Sequence, residues 1–133
     1  MSKSVIYTGN SATQTTTENG TTVSFPNIVR RYGCNLDVSG GNVVATGTGY
    51  YDIDVNLTIV GTATGTADVQ VYSNGTPIPY ATADVVTTTD SINSVTIPCM
   101  LRNTCNCISN TITVEISGAV VDVTNASILV EKE

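Results

Sequence analysis

Four cysteines and two aspartates are the residues of this chain whose types and spacing could do chemistry. Three cysteines, Cys99, Cys105 and Cys107, crowd into the segment Pro98–Cys107, while Cys34 lies far upstream. Three chemistries are open to them. Cys99 and Cys105 flank an expected loop and could close a disulfide, which needs a Cα separation of about 4.4–6.8 Å. Four thiolates could hold zinc, but the usual spacing is two C-x2-4-C pairs, and here it is C-x5-C-x-C with a distant fourth. Free thiols are the third reading, natural for a protein folded in a reducing cytoplasm. The aspartates, Asp52 and Asp54, lie two apart on one strand face, about 7 Å from each other. Paired carboxylates raise a glycosidase or calcium reading. The plainer reading is the solvated face of an amphipathic strand. The chain has no histidine, so Ser-His and Cys-His pairings are excluded within one chain. Its glycines sit at strand turns, with no phosphate-binding loop followed by Lys-Ser/Thr. The expectation is a protein without catalysis, metal or cofactor.

The element that positions the aspartates is the clearest in the chain. From Tyr51 every second residue is apolar (Tyr51, Ile53, Val55, Leu57, Ile59) and those between are polar. A period of two is that of a β-strand with one face in a core and one in water. Such sorting belongs to an antiparallel sheet, because buried parallel strands read as continuous apolar runs. Shorter runs with turn signals between them surround it: Ser4–Thr8, Val23–Phe25, Ile28–Tyr32, Leu36–Val38, Asp68–Tyr72, Ile78–Val86, Val95–Leu101, Ile112–Ile116 and Val120–Val130. Gly40-Gly41 and Asn74-Gly75 predict tight hairpins. Pro77 and Pro79 suit an edge strand or a bulge. No helical periodicity and no repeat is present. The expectation is all-β: one antiparallel sandwich of about eight to ten strands. Residues 23–133 form the domain, and the polar segment 1–22 is read as an N-terminal arm for attachment.

Composition narrows the partners. The chain has 133 residues, 11 acids against 5 bases and a net charge of −6. Phosphate contact needs a basic patch, and only Arg30 and Arg31 are adjacent, so nucleic acid and an anionic membrane surface are not expected partners. No segment approaches the roughly 18 apolar residues of a membrane span, and MSKSVIYTGN carries no apolar leader. Sequons at Asn19, Asn56, Asn74 and Asn125 are read as coincidences of a Thr- and Asn-rich sequence.

The order of these features resembles the C1q/tumour-necrosis-factor-like jelly roll. The matching residues are Gly49-Tyr50-Tyr51-Asp52-Ile53 at the start of the long strand, the hairpin VQVYSNGTPI (Val69–Ile78), the strand Val95–Leu101 and the terminal ASILVEK (Ala126–Lys132). The aromatic-rich core of the animal proteins is missing: there is one Phe and there are six Tyr. The chain looks more like bacterial and phage relatives, such as spore-surface tip domains. Val29–Gly40 followed by Gly49–Val55 is similar to small phage virion proteins of gut Firmicutes. The resemblance implies a homotrimer displayed on a virion, as a head decoration, fibre or receptor-binding tip, in contact with other virion proteins and made in the host cytoplasm. A bacterial cell or spore surface is the alternative setting. Apolar residues out of phase with the core would then face a partner copy: Tyr50, Tyr72, Leu129 and, least clearly, Tyr80. The competing function is a carbohydrate-binding module or adhesin, with Tyr50, Asp52, Asp54 and Tyr72 against a cell-surface glycan.

Overall fold

The computed structural model describes residues 4–104 and 109–132. Twelve strands and no helix are found among them: β1 (Val5–Asn10), β2 (Gln14–Thr15), β3 (Thr21–Val23), β4 (Asn27–Tyr32), β5 (Leu36–Ser39), β6 (Asn42–Thr46), β7 (Gly49–Gly61), β8 (Gly65–Ser73), β9 (Thr76–Thr87), β10 (Ile92–Asn103), β11 (Ser109–Ser117) and β12 (Val121–Lys132). They form two antiparallel sheets packed face to face. The first runs β10-β7-β12-β1-β4, with β2 against β12, and the second β5-β6-β11-β8-β9, with β3 against β11. This is the all-β antiparallel jelly roll expected. The count exceeds eight to ten: β2, of two residues, is too short to leave a periodic signature, and β3 lies at Thr21–Val23, two residues before the Val23–Phe25 run expected from the sequence.

The alternating residues of β7 all point inward: Tyr51, Ile53, Val55, Leu57 and Ile59 are buried. They meet Val69, Val71, Ile112, Val114 and Ile116 of the facing sheet in one continuous core. The Tyr51 ring sits in that core with its hydroxyl 2.7 and 2.8 Å from the carbonyls of Thr46 and Gly47, so the polar end of a buried ring is satisfied. In β12 the apolar phase slips between Val123 and Ala126. A bulge at that point of the β7 pairing absorbs the slip and keeps Val121, Val123, Ala126, Ile128 and Val130 all inward. Both expected hairpins form. Gly40 and Gly41 take φ of 60° and 80°, and Asn74 and Gly75 take 50° and 80°, the two positive values a tight two-residue turn demands.

The expected N-terminal arm is corrected here. β1 is not an appendage but lies between β12 and β4, with Ile6 fully buried. Thr16 is buried as well; its hydroxyl donates to the Ala119 carbonyl at 3.1 Å and accepts from the Val121 amide at 3.0 Å. A polar, Thr-rich composition hid the part that follows Ser4–Thr8: β1 and β2 pair with β12 through their backbones, and Thr16 adds its hydroxyl.

Candidate functional site

Registers place the sequence-derived candidates on the outer surfaces. On the first sheet, Asp54 lies across from Leu129 on one side and Pro98 on the other, and Leu129 across from Tyr7, which faces Arg30. One step along the strands, Asp52 lies between Glu131 and Met100, and Val5 faces Tyr32. At the end of β7, Tyr50 pairs with Arg102, whose guanidinium sits 5.4 Å from the ring centroid. A cation over an exposed ring contributes about 0.5–1 kcal/mol. Tyr50, Asp52, Asp54 and Leu129 thus share one face. Tyr72 and Tyr80 belong to the other sheet, on β8 and β9, so the six residues do not make a single patch.

Tyr80 is held in an unusual way. It is 99% exposed and has φ of 63°, a conformation that costs a side chain with a Cβ. The pairing of β8 with β9 jumps from Gln70–Thr82 to Tyr72–Pro77, which leaves Ile78 to Ala81 bulged out. Gln70 fills the gap: its Nε2 donates to the carbonyls of Ile78 and Ala81, both at 3.1 Å. Pro77 and Pro79 are therefore on an edge strand with a bulge, as their spacing predicts.

The remaining chemistry is muted. Cys99 is a half-buried free thiol on β10, pushed up to about 11 by burial and by the nearby Asp54 carboxylate. A thiol so raised is protonated at neutral pH and a poor nucleophile. Cys34 is a free, exposed thiol. Cys105 and Cys107 lie outside the described residues, and with them the Cys99–Cys105 pairing. Among the described residues no group of three or more His, Cys, Asp or Glu could hold a metal. Asp52 and Asp54 lie half-buried on the outer surface of the first sheet, with the Glu131 carboxylate across from Asp52.

Sequence reasoning named Tyr50 and Tyr80 but missed the other exposed large apolar residues. Of the large hydrophobics, Tyr7, Ile28, Val29 and Tyr32 sit at the β1–β4 side of the first sheet, and Tyr50, Tyr80, Val86, Ile92 and Met100 at the β9–β10 side. The whole of β4, Asn27–Tyr32, is exposed. Its run NIVRRY shows no alternation, and that absence was the available signal. Val86 is the outward half of a Val-Val doublet, which reads as core on either phase.

No family model matches the sequence, and no curated protein does. Solved structures do match in fold. Murine APRIL superposes with a TM-score of 0.72 at 16% identity, covering 99% of this chain and 100% of that one. The PRD1 vertex protein P5 gives 0.64 at 10% identity over 98% and 96%. The globular domain of zebrafish complement 1qA gives 0.64 at 8% identity over 96% and 94%. At these identities the likeness is one of fold: a C1q/TNF-like jelly roll.

Proposed function

We propose that the chain is a non-enzymatic structural module that self-associates as a homotrimer and is displayed on a particle. The particle is a phage virion, where the module serves as head decoration, fibre or receptor-binding tip beside other virion proteins. The observation that carries this reading is the concentration of exposed apolar side chains along the first sheet and the β9–β10 seam. Scattered single residues need no explanation, but contiguous patches mark interaction surfaces. Tyr50, Tyr80 and Leu129 lie in or beside these patches; Tyr72, half-buried next to Pro77, is peripheral to them. The fold likeness to a vertex protein supports the setting. Mass spectrometry of purified particles tests it: the chain is expected at a fixed copy number per particle, and its absence overturns the virion role.

A second reading is a carbohydrate-binding module. A hollow of about 250 Å3 on the outer face of the first sheet is lined by Tyr7, Asn10, Asn27, Asn125 and Ser127. A ring flanked by amides and a hydroxyl is the kind of surface that takes a neutral sugar. Binding on a glycan array, lost in Tyr7→Ala, would establish it; an array without signal leaves the structural role alone.

A further inference from the structure

The tip of the β8–β9 hairpin carries a reactive dipeptide. Asn74-Gly75 forms the turn, and a glycine after an asparagine puts no Cβ in the way when its amide nitrogen approaches the asparagine side chain. Asn19-Gly20 is the same dipeptide. The two are held very differently.

Asn74 is exposed, yet its side chain is fastened to β11 at both ends. Its Nδ2 donates to the Ser109 carbonyl at 3.0 Å and to Asn110 Oδ1 at 3.2 Å. Its Oδ1 accepts from the Thr111 amide at 2.8 Å, and its own backbone amide donates to the Thr111 carbonyl at 3.0 Å. The ladder between β8 and β11 ends at Ser73–Ile112. Beyond that pair the Asn74 carboxamide takes the part of a peptide group and adds a further rung. Only an N–H answers the Ser109 carbonyl, so the rung needs an amide. Asn19 stands on an exposed turn, and its side chain has no hydrogen bond among the described residues. The Gly20 amide beside it is held by a long bond of 3.3 Å to the Thr17 carbonyl.

We propose that Asn74 is a self-modifying site that β11 holds shut, and that its modification makes release of the hairpin tip one-way. The reaction is deamidation. The Gly75 amide nitrogen attacks Cγ of Asn74, a cyclic succinimide forms, and Nδ2 leaves as ammonia with the Gly75 proton. Water then opens the ring at either carbonyl and leaves an aspartate or an isoaspartate, with no change of oxidation state. In the folded chain Cγ cannot turn onto the Gly75 nitrogen without breaking the side-chain bonds to β11. Once the tip lifts from β11, that restraint is gone. Neither product restores the rung. An aspartate turns a carboxylate oxygen on the Ser109 carbonyl, acceptor against acceptor. An isoaspartate adds a backbone atom to a turn that joins Ser73 and Thr76 through two residues.

Peptide mass spectrometry of the purified chain, held at mildly alkaline pH, tests the protection. Trypsin cuts after Arg30, Arg31 and Arg102, so Asn19 and Asn74 fall in different peptides. In the folded chain Asn19 is expected to convert, and Asn74 about tenfold more slowly, because Asn74 reacts only from a locally opened state. In urea the two rates are expected to converge through a rise at Asn74. An Asn74 that keeps pace with Asn19 in the folded chain, or that gains nothing in urea, overturns the proposal. This comparison uses the wild-type chain and needs no variant to fold. Asn74→Asp tests the one-way step, since the two side chains have the same shape and differ in the lost donor and the gained charge. The variant is expected to melt several degrees below the wild type. An equal melting temperature would show that a carboxylate closes the rung as well, and would overturn the one-way release.

Discussion

At the residue scale, environment sets the chemistry that side-chain types leave open. Cys99 follows Ile97 in the inward phase of β10, which the alternation shows, but its neighbour Asp54 depends on the β7–β10 register, which no local pattern encodes. At pH 8 a thiol reagent should therefore label Cys34 in the folded chain and reach Cys99 only slowly, with the Cys99 rate climbing as pH approaches 11. Because the folded thiol holds its proton above its ordinary value of 9.0, the contribution of Cys99 to stability is complete below pH 9 and falls between 9 and 11. Asp68 shows the same sign in the carboxylate range. Its hydrogen bond with Asp84, a slight desolvation and the repulsion of that carboxylate all raise it. The folded chain then binds a proton that the unfolded chain has released, so stability falls as pH rises through this window. Asp68→Asn should raise the melting temperature at pH 7 and leave it unchanged at pH 3; an equal shift at both would show that charge is not the cause.

At the element scale, strands that sort apolar from polar were legible and strands held by hydroxyls or bulges were not. β7 was plain because burial and alternation coincide over its length. β2 and the turn after it were not, because Thr16 is anchored through its Oγ1. Deleting residues 1–22 removes the strand between β12 and β4 together with the buried Ile6. The truncated chain should show no cooperative melt by circular dichroism, whereas a dispensable arm would leave the transition intact. The β9 bulge was half legible. Pro77 and Pro79 announce an edge, but a tyrosine at positive φ has no sequence signal. Gln70→Ala leaves the carbonyls of Ile78 and Ala81 without their donor, at a cost of about 1–3 kcal/mol. Urea unfolding should show this as a lower midpoint with an unchanged slope.

At the scale of the whole molecule, the sandwich follows from the alternating strands and the hairpin turns, and its outer surface does not. Which apolar residues face outward depends on strand order: Val29 and Ile92 look like core residues until β4 and β10 turn out to be sheet edges. A standard interface covers about 800 Å2 per partner. Two such contacts, as in a closed ring, would take about a quarter of the 6726 Å2 this chain exposes. The most direct measurement is the solution mass of the purified chain by size-exclusion chromatography with light scattering, in the presence of reductant. The account predicts three times 13.8 kDa, about 41 kDa, unchanged when reductant is left out. A mass of 13.8 kDa at every concentration would contradict it.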